Sequence, residues 1–199
     1  AEGILPGNET IPGETYEINK RIKVYVLEVR KTAKGPQIVV SRSHPGLVKR
    51  LFELEVPEIS ANVVSIKAIA REAGHRSKIA VHSEDDNIDP VGACVGPKGS
   101  RIERVVDELN GERIDVIPWS SDPNTFIANA LRPAKVVMVQ VNESEKAAKV
   151  IVPDYQLSLA IGKEGQNARL AAKLTGYKID IKSQSQIVDD LFGALPEDD

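Results

Sequence analysis

Hydrophobic and polar positions change rhythm several times along the chain, and each change predicts an element. Residues 21–30 open with period-two alternation and predict a strand, residues 37–42 predict a second, and Gly35-Pro36 between them suits a hairpin loop. From Pro45 the rhythm becomes helical, with Leu47, Val48, Leu51, Phe52 and Leu54 at the spacing of one helix face. Residues 63–70 and 78–83 read as strands. Asp89-Pro90 then supplies an N-cap and a first-turn proline for a short helix that stops at Gly96. A longer helix follows over 100–109, with Ile102, Val105, Val106 and Leu109 at i, i+3, i+4 and i+7. Asn110-Gly111 ends it, and 113–117 is the next strand.

The same order then recurs. Asp122-Pro123 caps a helix reaching Leu131, 135–141 and 148–152 are strands, and 154–161 is a short helix. Gly162 to Gly165 interrupts it, a further helix runs to Leu174, Gly176 ends that helix, and 177–182 is a strand. The unit helix, strand, strand, helix, Gly-x-x-Gly, helix, strand therefore occurs twice, and such a repeat outweighs any single motif as a guide to fold. The glycine loops lie 66 residues apart and the Ile114-Asp115 and Ile179-Asp180 pairs 65 apart, so one deletion reconciles the two copies. The predicted class is α+β. Residues 1–43 form a strand-rich lead-in, 44–120 the first repeat, 121–184 the second, and 185–199 an acidic tail or linker.

Composition refines this picture. One cysteine, Cys94, excludes an internal disulfide and fits a reducing compartment. No apolar run is long enough to span a membrane. The opening Ala-Glu-Gly-Ile-Leu-Pro-Gly has no signal-peptide pattern and no starting methionine, as a fragment of a longer chain would read. The net charge is −3, but the five acids of 187–199 are unaccompanied by Lys or Arg, which leaves the remainder at +2. A near-neutral body has to bind anions through local geometry more than through a bulk field. The acidic end reads as a solvated tail, or as a competitor for basic surface.

With 14 glycines in 199 positions, chance alone supplies about one Gly-x-x-Gly, so a single copy means nothing. Two copies at the same joint of a repeated unit mean a good deal. Positions without Cβ let backbone approach a sugar-phosphate chain closely, and the helix that starts after each loop presents unpaired N–H groups and a positive dipole end. The candidate contacts are Gly96, Pro97, Lys98 and Gly99 in the first loop, and Gly162, Lys163, Glu164 and Gly165 in the second. Arg101 and Arg104, one turn apart, and Arg169 and Lys173 give each following helix a basic edge. An apolar groove between helix and strand would take unstacked bases. These features resemble KH modules, which clamp about four nucleotides of single-stranded RNA. Glu164 places an acid where a phosphate would lie, so the second loop is expected to grip less strongly than the first.

Other residues look chemical without being so. His44, His75 and His82 share no ligand or catalytic spacing, and Cys94 reads as packed beside Gly96. Glu84-Asp85-Asp86 reads as a solvated loop, and Trp119 as a packed junction residue in preference to a base-stacking one. No catalytic residue, metal or cofactor is assigned, and the chain is not read as an enzyme.

Longer strings carry a closer resemblance: Val-Pro-Glu-Ile at 56–59, Ile-Lys-Ala-Ile-Ala-Arg-Glu at 66–72, Asp-Pro-Val-Gly-Ala-Cys-Val-Gly at 89–96, Gly-Glu-Arg-Ile-Asp-Val at 111–116, and Leu-Ala-Ile-Gly-Lys-Glu-Gly-Gln-Asn-Ala-Arg-Leu at 159–170. Over nearly its whole length the chain resembles the NusA family of bacterial transcription elongation and termination factors. That resemblance implies two tandem prokaryotic-type KH domains preceded by the later strands of an OB-type barrel. It adds Gln166 and Asn167 to the RNA-binding set. It implies a cytoplasmic, monomeric protein that binds nascent single-stranded RNA and modulates pausing, termination and antitermination. It also implies RNA polymerase as a partner, held mainly through a part outside this chain, and other transcription factors beside it. Two other readings stand next to it. One is an accessory region of an RNA-processing enzyme such as a phosphorolytic exonuclease, although those usually place a single KH before the OB. The other is a protein-interaction scaffold, for which the near-neutral charge is the only support.

Overall fold

The computed structural model describes residues 1–193, and the sheets among them each have three strands. The chain divides into two units, Ala1–Val116 and a second from Ile117 onward.

At the start of the first unit, β1 (Gly3–Ile4), β2 (Tyr25–Thr32) and β3 (Gly35–Ser41) form a sheet in the order β1-β3-β2. β2 and β3 are the expected hairpin, antiparallel with a bulge between Val26 and Glu28, while β1 lies parallel to β3. A two-residue strand has no periodicity to read, which is why sequence patterning missed β1. Ile11 and Arg42 are among the anchors of the lead-in. Ile11 is buried in the hydrophobic core of the first repeat. Arg42, fully buried, sends Nε and Nη2 to the Glu14 carboxylate (2.8 and 2.9 Å), Nη1 to Glu108 Oε1 (3.1 Å) and Nη2 to the Glu108 carbonyl (2.9 Å). Burial pushes the Glu14 carboxyl up, but the hydrogen bond and charge of Arg42 outweigh it and hold the group below its ordinary value.

The first repeat comprises α1 (Pro45–Glu55), the single turn α2 (Pro57–Ser60), β4 (Ser65–Glu72), β5 (Arg76–His82), α3 (Pro90–Val95), α4 (Ser100–Glu108) and β6 (Arg113–Pro118), with sheet order β4-β5-β6. α1 begins where it does because Pro45 fixes the first turn and His44 Nδ1 accepts a 2.9 Å bond from Gly46 N. The His44 ring stacks on Tyr25 at 4.6 Å, so closely over Gly46 that a Cβ there would meet the tyrosine ring at 2.7 Å. Leu47, Val48, Leu51 and Phe52 enter the core with Ile79, Val81, Val105, Leu109 and Ile114. Leu54, read as part of the same stripe, is 69% exposed because its position falls at the stripe's margin. Asp89 precedes α3 as expected but makes no side-chain cap bond.

In the second unit, α5 (Pro123–Ala130) is capped by Asp122, which accepts from Thr125 N and Oγ1, and these bonds lower its pKa. β7 (Met138–Asn142) pairs antiparallel with β8 (Ala147–Val152), which pairs parallel with β9 (Lys178–Ser183). β7 starts later than patterning predicted, since Lys135 N bonds to Gln156 Oε1 and stays outside the ladder. A 3-10 turn over Asp154–Gln156 leads into α6 (Leu157–Ile161), and α7 (Gln166–Thr175) follows the second glycine loop. Both copies of the repeat thus carry the predicted order of elements.

The predicted acidic tail is helical over its described part. α8 (Gln184–Phe192) starts at a capping box in which Ser183 Oγ accepts from Gln186 N and the Gln186 side chain accepts from Ser183 N. Asp190 on this helix pairs with Lys182 at 3.1 Å. Glu197, Asp198 and Asp199 lie outside the described residues. No helix among those described is long and apolar enough to cross a membrane.

Candidate nucleic-acid interface

The two glycine loops have the same backbone. Gly96, Lys98 and Gly99 have φ/ψ of 76/172, 53/29 and 76/12°, and Gly162, Glu164 and Gly165 have 79/171, 55/26 and 75/12°. The middle turn places a non-glycine residue, Lys98 or Glu164, in the left-handed region, where side-chain-bearing residues are sterically disfavoured. Equivalent hydrogen bonds close both loops: Gly96 N to Gly92 O (2.9 Å) and Gly99 N to Gly96 O (3.1 Å), matched by Gly162 N to Ser158 O (2.8 Å) and Gly165 N to Gly162 O (3.1 Å).

The glycines are needed for two different reasons. A Cβ on Gly96 would meet Arg101 Cγ at 2.6 Å, and one on Gly162 would meet the Asn167 backbone nitrogen at 2.8 Å, so the first glycine lets the following helix pass close behind the loop. A Cβ on Gly99 or Gly165 would touch nothing nearer than 3.9 Å. There the left-handed φ and an open outer surface matter, and a ligand backbone can come close. α4 and α7 begin immediately after these glycines with no side-chain cap bond, leaving first-turn N–H groups and the positive dipole end for an anion.

Pro97, Lys98, Lys163 and Glu164 are exposed, so both outer positions of each loop face solvent. Arg104 is 70% exposed, with one 3.3 Å contact to Glu55, a surface pair that competes weakly for its charge. Lys173 is exposed on α7, and Gln166 is half-buried at its first position. Arg169 donates from Nη1 to the Glu164 carbonyl at 3.0 Å, bringing a cation beside the acidic position of the second loop.

Two residues of the predicted set are placed otherwise. Arg101 does not extend outward: its Nη1 donates to Glu58 Oε2 (2.8 Å) and to the Ala93 carbonyl (2.7 Å), and its side chain is 25% exposed. Asn167 is fully buried, with Nδ2 donating to the Leu131 carbonyl (3.0 Å) and the Ala160 carbonyl (2.9 Å), so its side chain is withdrawn from any ligand. Patterning also named no apolar residue beside the loops. Tyr155, Leu159 and Ile161, on the segment leading into the second loop, are all exposed.

The remaining chemical-looking residues have structural partners. Burial pushes the Cys94 thiol up to about 12, which removes it as a nucleophile. Trp119 packs its ring 6.4 Å from that of Phe126. Glu84, Asp85 and Asp86 are exposed in a turn held by Ser83 Oγ and Asp85 Oδ1. No group of His, Cys, Asp and Glu able to hold a metal ion occurs among the described residues.

Comparison with known proteins agrees with this geometry. Residues 42–119 match the NusA-like first KH domain and residues 123–189 the NusA-like second KH domain. The transcription termination/antitermination protein NusA of Halalkalibacterium halodurans is 66% identical over 185 residues, 93% of this chain and 48% of that protein. Its counterpart from Thermus thermophilus is 52% identical over 194 residues, 98% of this chain and 50% of that protein. The crystal structure of APE1850 is 25% identical with a TM-score of 0.50, covering 68% of this chain and 95% of that one. The chain spans about half the length of the curated relatives it matches.

Proposed function

Since the chain belongs to the NusA family through its two KH domains, we propose that it is the RNA-binding region of a transcription elongation factor. In this reading both glycine loops grip the sugar-phosphate backbone of nascent single-stranded RNA, and the whole protein modulates pausing, termination and antitermination. The observation that carries the reading is the duplicated loop, identical in backbone in both repeats, with a helix N-terminus behind it and exposed Lys98 or Lys163 on its outer side. In this reading Lys98, Arg104, Lys163, Arg169, Lys173 and Gln166 are the side chains that touch the strand. RNA polymerase and other transcription factors are partners of the whole protein, with polymerase attachment mainly outside this chain. The protein acts in the cytoplasm as a monomer, without catalysis. Its domains are the lead-in to residue 43, the KH domains over 44–120 and 121–184, and the acidic end.

The two loops differ in strength. Lys98 puts a cation at the position where the second loop has Glu164, and Arg169 only partly offsets that acid. Replacing Pro97 and Lys98 with Asp tests the reading. Aspartate accepts the left-handed φ of position 98, so the fold should persist. Losing one charge-assisted contact should weaken single-stranded RNA binding by about ten-fold or more. Unchanged affinity would remove the first loop from the site.

A further inference from the structure

The residue five positions after the first glycine is Arg101 in the first repeat and Asn167 in the second. Chemically they share only a hydrogen-bond donor at the tip. Structurally they do the same thing. Arg101 lies across Gly96 and donates from one nitrogen to the Ala93 carbonyl in α3 (2.7 Å) and to Glu58 on α2 (2.8 Å). Asn167 lies across Gly162 and donates from one nitrogen to the Ala160 carbonyl in α6 (2.9 Å) and to the Leu131 carbonyl at the end of α5 (3.0 Å). In each repeat one side chain thus ties together the helix before the loop, the helix after it and the end of the leading helical segment.

From this we infer that Arg101 and Asn167 are positioning residues of the RNA-binding loops, acting through the backbone and not by touching RNA. The inference rests on the RNA-binding reading for its functional consequence, and on this geometry for its substance. The left-handed turn at Lys98 and Glu164 is strained, and such a conformation persists only where its surroundings over-determine it. A staple across the base of the loop does that. It keeps the turn formed before RNA arrives, so that binding does not carry the cost of ordering the loop.

The two staples are built differently. The first is ionic and partly exposed, its partner Glu58 retaining 33% of its side-chain accessibility. The second is a neutral amide at full burial whose Oδ1 has no hydrogen-bond partner. Position 101 is where a basic helix edge would be read from sequence, and the ion pair to Glu58 makes the two accounts separable.

Binding of a short, unstructured, mixed-sequence single-stranded RNA to the full chain, measured across a salt series, tests the inference. The variants are Glu58→Ala, Arg101→Met, Asn167→Ala and Lys98→Ala. If Arg101 were a phosphate ligand, Glu58→Ala would release it and tighten binding. As a staple it needs Glu58, so Glu58→Ala and Arg101→Met should each weaken binding by about ten-fold with the salt slope unchanged. Lys98→Ala should instead lower the slope by about 0.7, the value of one phosphate contact on a single strand. Asn167→Ala should behave like Arg101→Met. Glu58 sits on a partly exposed turn, so its variant reads out even where Arg101→Met folds poorly. Amide exchange without RNA separates this inference from the RNA-binding reading: the Gly99 N–H, bonded to Gly96 O, should exchange faster in Glu58→Ala and Arg101→Met. Tighter binding by Glu58→Ala, a slope change in Arg101→Met equal to that of Lys98→Ala, or wild-type exchange at Gly99 would overturn it.

Discussion

Loss of Glu112 should cost the first unit heavily. Its carboxylate is 1% exposed and accepts from Arg71 Nε (3.1 and 3.2 Å), Arg71 Nη2 (3.0 Å), Gly74 N (2.7 Å) and Ser77 Oγ (3.0 Å). The Arg71 side chain is wholly buried, and its other bond is from Nη1 to the His44 carbonyl (2.8 Å). Glu112→Ala therefore leaves a buried guanidinium uncompensated and removes the acceptor of two further donors. Breaking a buried ion pair from one side costs about 3–5 kcal/mol. That compares with a total stability of about 5–15 kcal/mol for an ordinary domain, so the variant should lose about a fifth of it or more. Urea denaturation followed by far-UV circular dichroism measures this directly. The double variant Arg71→Met/Glu112→Leu should recover part of the loss, because it removes both charges together while still leaving Gly74 N and Ser77 Oγ without their acceptor. A loss below about 1 kcal/mol in Glu112→Ala, or a double variant no better than the single, would refute the reasoning.

Other consequences follow from single groups. Burial pushes Lys78 down to about 8, with the Asp115 carboxylate at 3.0 Å only partly offsetting it. The unfolded chain then holds a proton that the folded chain has lost between pH 8 and the ordinary lysine value, so stability should rise by about 1 kcal/mol from pH 8 to 9, the folded group being still half protonated at pH 8, and Lys78→Met should flatten that rise. A wild type whose stability is flat or falls over this interval would contradict it. Cys94 runs the opposite way, with a thiol raised to about 12, so its contribution is full below pH 9 and declines as pH climbs toward that value. Its alkylation by iodoacetamide at neutral pH should follow the unfolding rate, and fast labelling of the native chain would be inconsistent with its burial. Gly162→Ala puts a Cβ 2.8 Å from the Asn167 backbone nitrogen, whereas Gly165→Ala meets only Arg169 Nη1, at 3.9 Å. Thermal unfolding should show the first variant losing more than the second, whose cost is the left-handed φ alone, about 1–2 kcal/mol.

Much of the fold is legible in the sequence because each element announces itself locally. Asp122-Pro123 and Gly176 mark ends, and Ile102, Val105, Val106 and Leu109 mark a face. The repeat makes the loops legible, since either Gly-x-x-Gly alone is expected by chance. What stays hidden is the destination of a polar side chain. Arg101 and Arg104 share a helix and a charge, yet one is tied inward to Glu58 and the other remains exposed, a difference set by Glu58 on α2, 43 residues upstream of Arg101. Nothing local marks Asn167 and Glu112 for burial: the Leu131 and Ala160 carbonyls draw in the first, and the Arg71, Gly74 and Ser77 donors the second. The helix α8 was signalled by Ser183-x-x-Gln186, but the run of acids that follows pointed to a solvated tail. A capping box acts over one turn, whereas net charge over a segment says little about its backbone.

The salt dependence of single-stranded RNA binding by the full chain tests the central claim most directly. With Lys98, Arg104, Lys163, Arg169 and Lys173 contacting phosphates, the logarithm of the binding constant should fall linearly with the logarithm of salt concentration with a slope of about −3.5. Replacing Pro97, Lys98, Lys163 and Glu164 together with Asp should abolish binding and leave the circular dichroism spectrum intact. Binding that survives this replacement, or that does not respond to salt, would contradict the account.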